Sequence, residues 1–364
     1  MNKKLIIVGG GYLGAELAKS LQNDLDVTLI DQRDAFVHVP AMIRAIVTPA
    51  LLDKTLLPYS GLLSKGKFVK AKVTHIEEHG VTLEDGTQLS ADYIVIATGS
   101  TNGIAFKPVG NSIDEFRNTV EETHAKLIAA KSIAIVGAGA VGTEMAGEIA
   151  QAMPDKTITL VSSETSLFPT MPDKFGHSLA KKLNEFGVEI KWGCKVENLK
   201  STTQPYSGTL RLSDDTSIEA DLIIPAIGSK AASHLSDSLP NVCKSSNDRV
   251  NVDEYLRPSS FANVFAAGDV ADSKDAMTIV AISRQLPWLT KMFKALASDQ
   301  DLPIDEVLRK MKPYNSWKKA PLLLPLGPEK GNSYLVIGTF GSWVTSKMKG
   351  KDLFISKYRK LFNL

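Results

Sequence analysis

Short apolar runs, each followed by a glycine-rich segment, recur along most of the chain. Residues 5–8 and 133–136 are two such runs, and each precedes three glycines and a predicted helix. Continuous apolar runs of this length are typical of strands buried on both faces of a parallel sheet. Similar runs lie within residues 93–100, 222–230 and 263–272. The pattern therefore predicts an α/β fold in which one strand–loop–helix unit occurs twice.

The first unit has the G-x-G-x-x-G pattern, formed by Gly9, Gly11 and Gly14. The first glycine suits a tight turn, the second lets the backbone approach a pyrophosphate, and the third allows close helix–strand packing. A second predicted strand ends at Asp31, where a carboxylate can accept hydrogen bonds from ribose hydroxyls. A left-handed turn without a ligand explains one or two glycines, but not the whole arrangement. The unit predicts a dinucleotide site.

The second unit repeats the pattern with Gly137, Gly139 and Gly142. The strand at 157–161 is followed by Ser162, where the first unit has an acid. A missing acid removes the repulsion against a 2′-phosphate, but no arginine lies beside it to bind one. NADPH and NADH both remain open, with NADPH slightly favoured. As a third possibility, Glu164, two residues after Ser162, takes the place of the missing acid.

Two dinucleotide sites in one chain favour electron transfer between a flavin and a nicotinamide. The order of the remaining strand-end motifs resembles the two-dinucleotide-binding-domain flavoproteins. In that superfamily an ATG strand closes the FAD domain, and a GD motif returns the chain to it, with the Asp on the ribityl chain. The matching residues are Ala97, Thr98 and Gly99, then Gly268 and Asp269, with Gly228 as the equivalent in the second domain.

The resemblance implies two Rossmann-like domains, with the NAD(P)H domain inserted into the FAD domain. The predicted limits are 1–105 and 240–300 for FAD, and 106–239 for NAD(P)H. Residues 301–364 are expected to form a smaller α+β part, because the charge-free segment 334–340 reads as a strand.

Composition narrows the class of protein. The 364 residues carry a net charge of +2, which does not favour a polyanion partner over the whole surface. The six histidines lack metal-ligand spacing, so no metal site is predicted. Apolar runs stay shorter than the ~18 residues of a spanning helix, and the N-terminus lacks a secretory pattern. We expect an intracellular protein, cytoplasmic or mitochondrial.

Cysteine content argues against a thiol relay. Disulfide reductases of this superfamily carry C-x-x-x-x-C beside the flavin, whereas the corresponding region here contains no cysteine. Cys194 and Cys243 lie elsewhere and far apart. Electrons are therefore expected to pass from the flavin directly to an external acceptor.

Three stretches narrow the resemblance to the ferroptosis-suppressor-like, or AMID-like, branch of the apoptosis-inducing-factor family: FVHVPAMIRAIV, VGTEMAGEI and KGKDLFIS. Type II NADH dehydrogenases are more distantly similar. The resemblance implies hydride transfer from NAD(P)H to FAD and reduction of a quinone. It also suggests FAD contacts at Arg44 and Val73, which otherwise read as a solvated arginine and a packing valine.

Three residues are candidates for the chemistry. The family pattern places Glu144 at the nicotinamide–flavin contact, although an acid there also suits a helix N-terminus. Lys349 is expected near the flavin ring, where a cation stabilises negative charge; otherwise it is one of several solvated lysines. Phe354 is expected either in the quinone pocket or in the core.

The C-terminal tail and the rival functions complete the predictions. Six basic residues interleave with apolar ones in 347–364, which predicts either peripheral membrane contact or a docked helix.

The alternative enzyme to a quinone reductase is a reductase of a small iron–sulfur protein. A redox-sensing nucleic-acid binder would use the tail on phosphates, but the near-neutral charge and lack of an aromatic-rich groove weigh against it. The sequence leaves the oligomeric state open.

Overall fold

The structure is a computed structural model that describes residues 2–101 and 106–364. Its first sheet has five parallel strands. Their spatial order is Val264–Ala266, Tyr93–Ile96, Lys4–Val8, Asp26–Asp31 and Lys67–Lys70. The edge strand comes from residues far along the chain, so the chain leaves this sheet and later returns to it.

The second sheet also has five strands, and it forms from the intervening part of the chain. Its order is Val188–Lys191, Thr157–Val161, Ser132–Val136, Ser217–Pro225 and Tyr206–Arg211. The first four strands are parallel, and the last pairs antiparallel with its neighbour. Parallel strands buried on both faces explain the continuous apolar runs of both sheets. The two Rossmann-like units and the interrupted first unit are confirmed, whereas the exact domain limits stay a prediction.

The C-terminal part holds a three-stranded antiparallel sheet of Leu322–Leu326, Lys330–Leu335 and Gly338–Phe340. The sequence predicts one strand over 334–340, and the structure divides that segment into a hairpin. The chain turns at Val336 and Ile337, and Gly338 follows with a φ of +143°, a conformation that glycine adopts readily. The expected α+β character of this part is confirmed.

Small sheets connect these units. A three-stranded antiparallel sheet is formed by Val73–Glu77, Gly80–Leu83 and Gln88–Ser90. Three strand pairs are Ala35–Val37 with Leu56–Pro58, Ser100–Thr101 with Lys230–Ala231, and Val250–Asn251 with Ala271–Asp272. The second pair links the two dinucleotide-binding units directly.

Helices cover both large sheets and form the C-terminus. The α-helices are Tyr12–Leu21, Val39–Ala45, Leu52–Thr55, Ile113–Ala129, Ala140–Ala152, Asp173–Glu185, Ile279–Ser298, Ile304–Arg309, Ser342–Thr345 and Ile355–Leu361. Short 3₁₀ segments are Pro49–Leu51, Tyr59–Gly61, His234–Ser238 and Gly268–Val270, and Ser346–Gly350 is a π-helical turn. Across the described ranges, none of the helices is both long and apolar enough to cross a bilayer.

The tail is docked on the first unit. Tyr358 and Phe362 are buried and pack against Phe36 at ring-centroid distances of 5.6 and 5.2 Å. The Tyr358 hydroxyl donates to Glu16 Oε1 at 2.7 Å. This contact joins residues at opposite ends of the sequence, so the C-terminal segment is part of the core of the first unit.

Candidate dinucleotide and electron-transfer site

The two glycine loops have nearly the same local geometry. A Cβ on Gly14 would overlap the carbonyl oxygen of Gly9, and a Cβ on Gly142 would overlap that of Gly137. These glycines allow the helix of each unit to pack closely against its loop. The repetition of one close contact in both loops supports two copies of the same binding device.

The middle glycine of each loop faces open space. No described atom lies within 4 Å of a Cβ built on Gly11 or on Gly139. Both residues have extended backbone angles and directly precede a helix, Tyr12–Leu21 or Ala140–Ala152. Free backbone N–H groups at a helix N-terminus bind phosphates. The space and the donors therefore fit a pyrophosphate at each loop.

One cavity of about 1120 Å³ joins the two loops. Its volume exceeds the roughly 300–1,000 Å³ typical of a pocket for one drug-sized ligand. From the first unit it is lined by Gly9, Gly11, Asp31, Val73, Ala97, Thr98, Gly99, Gly268 and Asp269. From the second unit it is lined by Gly139, Glu144 and Gly228, and from the C-terminal part by Leu322, Leu323, Lys349 and Phe354.

Asp31 is held at the end of its strand with one oxygen on the first loop. Its Oδ2 accepts the backbone N–H of Gly10 at 2.7 Å, and its Oδ1 accepts that of Arg33 at 2.9 Å. The carboxylate is buried but lines the cavity. Each carboxylate oxygen accepts more than one hydrogen bond, so Asp31 can still accept from a ribose hydroxyl.

A polar cluster surrounds Asp269. Its Oδ2 accepts from the Ser100 hydroxyl at 2.6 Å, and the Lys107 ammonium lies 3.8 Å from the same oxygen. Lys107 also donates to Ser100 Oγ at 2.5 Å. Burial lowers the pKa of Lys107, while the charge of Asp269 opposes that shift. Sequence motifs identify Asp269, but not its two partners.

Glu144 and Lys349 form a buried ion pair. The ammonium lies 2.5 Å from Glu144 Oε1 and also donates to the carbonyl oxygen of Leu323 at 3.2 Å. Burial raises the pKa of Glu144 above the ordinary 4.5, although Lys349 lowers it and the nearby Glu148 raises it further. The second unit and the C-terminal part thus meet at a charged contact inside the cavity.

Five of the predicted contact residues do not line the cavity. Arg44 is not among the cavity-lining residues; it forms two hydrogen bonds to Glu148, at 2.9 and 2.7 Å. Ser162 is also outside the lining, and its hydroxyl bonds the backbone of Glu164. Gly14, Gly137 and Gly142 pack the loops without lining the cavity. Val73 lines the cavity, but is also buried in the core of the first unit.

His38 fixes the chain beside Phe354. Its Nε2 is 2.6 Å from the carbonyl oxygen of Leu353, and its Nδ1 is 3.1 Å from the Tyr12 hydroxyl. Burial is the main cause that lowers the pKa of His38 to about 4, so the ring is neutral at pH 7. Leu353 and Phe354 both have positive φ, which is strained for such side chains. The sequence carries no local signal for this arrangement.

The two described cysteines lie away from the cavity lining. Cys194 is buried in the second unit, with its Sγ 3.4 Å from Asp214, and Cys243 is exposed. Together, the paired loops, the shared cavity and its acid–lysine contact define a protein with two dinucleotide sites that open into one cavity.

Comparison of the sequence with known proteins identifies the family within this class. Residues 62–285 and 4–55 match families described as pyridine nucleotide-disulphide oxidoreductases. The apoptosis-inducing factor homolog B of Dictyostelium discoideum is 33% identical, covering 99% of this chain and 97% of the homolog. The chain therefore belongs to the pyridine nucleotide-disulphide oxidoreductase family, in the branch of the apoptosis-inducing-factor homologues.

Other relatives extend over nearly the whole chain. Ferroptosis suppressor protein 1 of Mus musculus is 28% identical, covering 97% of this chain and 94% of that protein. The sulfide:quinone oxidoreductase structure of Aquifex aeolicus superposes with a TM-score of 0.72 at 18% identity, covering 99% and 92% of the two chains. The latter similarity concerns the fold alone. The protein is an FAD-dependent NAD(P)H oxidoreductase.

Proposed function

We propose that the protein is an NAD(P)H:quinone oxidoreductase that uses FAD and no redox disulfide. The observation that carries the proposal is the single cavity into which both glycine loops open. Its wall from the C-terminal part combines Leu322, Leu323 and Phe354 with the ammonium of Lys349. An apolar wall with one cation suits a flat, uncharged ring that gains negative charge on reduction.

In this proposal the first unit holds FAD. The loop of Gly9, Gly11 and Gly14 and the N–H groups of its helix receive the pyrophosphate. Asp31 accepts hydrogen bonds from the adenosine ribose, and Asp269 from the ribityl chain, with Ser100 and Lys107 fixing the Asp269 carboxylate. The segment of Ala97, Thr98 and Gly99, together with Gly268 and Val73, forms the adjacent wall.

The second unit holds NAD(P)H. Gly137, Gly139 and Gly142 form the pyrophosphate loop, and Gly228 lines the same cavity at the end of the neighbouring strand. Ser162 follows the strand that corresponds to the Asp31 strand of the first unit. Its hydroxyl hydrogen-bonds to the Glu164 backbone. We assign the contact with the 2′-position of the NAD(P)H ribose to this strand end, where Ser162 carries no charge.

FAD held by the first unit would supply the redox chemistry, taking hydride from NAD(P)H and giving the two electrons to the quinone. Glu144 lies in the first turns of the helix that follows the second loop, and its ion pair with Lys349 fixes both side chains at the meeting point of the three parts. The Lys349 ammonium stabilises negative charge that develops beside it in a buried site. Phe354, Leu322 and Leu323 exclude water and contact the quinone.

Arg44 acts indirectly in this proposal. It joins the helix Val39–Ala45 of the first unit to Glu148 of the second. Glu148 lies one turn from Glu144 on the same helix, so the ion pair fixes the helix that carries Glu144 relative to the FAD unit. Arg44 is thus a positioning residue, in place of the direct FAD contact that the family resemblance suggests.

Steady-state turnover of the purified protein tests the proposal. NADH and NADPH are each supplied with soluble quinones of the ubiquinone and menaquinone types, and separately with a ferredoxin. We expect quinone-dependent oxidation of NAD(P)H at least about tenfold faster than ferredoxin reduction, because the wall from the C-terminal part is apolar apart from Lys349. Faster turnover with ferredoxin than with every quinone would contradict the quinone assignment.

A further inference from the structure

The tail does not offer its largest apolar side chains to a membrane while it stays docked. Leu353, Tyr358 and Phe362 are each at most 1% exposed, since they pack in the hydrophobic core. The interleaved basic and apolar residues of 347–364 therefore give a docked segment with a basic outer surface. A lipid surface would have to meet apolar residues other than these three.

Four large apolar side chains between residues 336 and 348 are exposed instead. Val336 and Ile337, at the hairpin turn, are 62% and 84% exposed, Trp343 is 75% exposed, and Met348 is 45% exposed. We call these four residues the hairpin patch. Exposed apolar residues are unremarkable singly, but clustering of large ones marks an interaction site.

The patch is confined to one short piece of chain. Trp343 lies six positions after Ile337, so even a fully extended chain places them within about 20 Å of each other. The hairpin strand and the helix Ser342–Thr345 are fastened together, since the hydroxyls of Ser333 and Thr345 lie 2.8 Å apart. The tip and the tryptophan are thus carried on one rigid support.

The charge around the patch selects its partner. The Lys347 ammonium lies 5.3 Å from the centre of the Trp343 ring, and Lys351, four residues later, is also exposed. Segment 342–364 carries six basic residues and one acid. Self-association through this surface would bring like charges together, whereas an anionic lipid surface attracts them.

We infer that the hairpin patch docks on an anionic lipid bilayer. Val336, Ile337 and Trp343 enter the interfacial layer, and the surrounding lysines contact lipid phosphates and carboxylates. Met348 precedes Lys349, which lines the cavity, so docking places the C-terminal wall of the site near the lipid. Docking itself does not depend on the proposed quinone activity.

Vesicle sedimentation of the full-length, flavin-loaded protein tests the inference without any turnover. The probes are vesicles of phosphatidylcholine alone and of phosphatidylcholine with phosphatidylserine. We expect binding to the second kind only, weakened by salt. The double variant Ile337→Glu/Trp343→Glu should reduce this binding about tenfold or more, because it replaces two apolar anchors with acids.

The matched control is Ile128→Glu/Trp192→Glu, which makes the same two changes at exposed positions, 55% and 38% exposed, outside the patch. It should keep the vesicle binding. Equal binding by both double variants would overturn the inference, and so would no binding of the unaltered protein to the anionic vesicles. Self-association that the patch variant abolishes, without vesicle binding, would assign the patch to a second copy and also overturn it.

Discussion

Gly11→Val should yield a folded protein that is purified without its yellow colour. Gly11 has extended backbone angles that any residue adopts, and a Cβ on it has no described atom within 4 Å apart from its chain neighbours, so the chain has room for a larger side chain there. The added side chain instead fills the space assigned to the FAD pyrophosphate. We expect FAD affinity to fall about 100-fold or more, equivalent to about 2.7 kcal/mol.

Gly139→Val is the matched variant, because this glycine has the same geometry in the second loop. It should retain FAD and its colour, while the KM for NAD(P)H rises about 100-fold. The measurements are flavin absorbance after purification, and the dependence of flavin reduction on NAD(P)H concentration. A yellow Gly11→Val protein beside a colourless Gly139→Val protein would reverse the assignment of the two loops.

The second large effect is expected at Lys349. Lys349→Met removes the cation from beside Glu144, whose side chain is only 7% exposed. Breaking one partner of a buried pair costs about 3–5 kcal/mol in the free energy of unfolding. Because Glu144→Gln/Lys349→Met leaves no charge there, the double variant should recover most of that loss in urea unfolding.

The destabilisation by Lys349→Met should depend on pH, in a direction that follows from the pKa of Glu144. Lys349 lowers the pKa of Glu144, so its removal raises that pKa further above 4.5. A carboxyl group whose pKa is higher in the folded than in the unfolded protein contributes stability below the unfolded-state pKa. This contribution is lost as the pH rises through the folded-state pKa. Lys349→Met should therefore be most destabilising at neutral and alkaline pH, and least at acid pH. A pH-independent cost would contradict the buried-charge explanation.

The variant Glu144→Gln tests the effect of this ion pair on the reaction rate, separately from its effect on stability. Glu144→Gln keeps an amide oxygen for the Lys349 ammonium, but removes the negative charge. In single turnover we expect the flavin to be reduced by NAD(P)H about 100-fold more slowly, since the charge pair at the meeting point is lost. An unchanged rate with unchanged folding would remove Glu144 from the reaction.

Local sequence patterns were sufficient for the α/β class and for both loops, whereas the insertion of one unit into the other was predicted from the family resemblance. Each glycine loop lies within a few residues of the strand and helix that it joins, so its geometry is determined by short-range packing. Asp31 is the last residue of its strand, and Asp269 comes three residues after the strand Val264–Ala266. The carboxyl ends of the parallel strands bring both to one edge. Asp31 could be located from the motif spacing, and Asp269 from the order of motifs in the family resemblance.

Contacts across the chain could not be read in this way. The Glu144–Lys349 pair joins positions 205 residues apart, and the His38–Leu353 hydrogen bond spans 315 residues. The family resemblance placed Glu144 and Lys349 separately, without their pairing. Arg44 has a basic side chain in the expected stretch, but the proximity of Glu148, on the other dinucleotide unit, decides its contact.

The C-terminal part was predicted least well, for two physical reasons. The segment 334–340 is free of charge and mostly apolar, and such a run does not indicate whether a strand continues or turns at Val336 and Ile337. The tail has an amphipathic pattern that suits a membrane and a protein core equally. The tail packs in the protein core because Tyr358 contacts Phe36 and Tyr12, which lie more than three hundred residues earlier.

Anaerobic titration of the flavin-loaded protein with NAD(P)H tests the central claim most directly. The account predicts that one equivalent of NAD(P)H per FAD bleaches the flavin, that one equivalent of quinone restores its colour, and that prior alkylation of thiols changes neither step. A second equivalent taken up before full bleaching, abolished by alkylation, would contradict direct transfer. So would a bleached flavin that no quinone reoxidises.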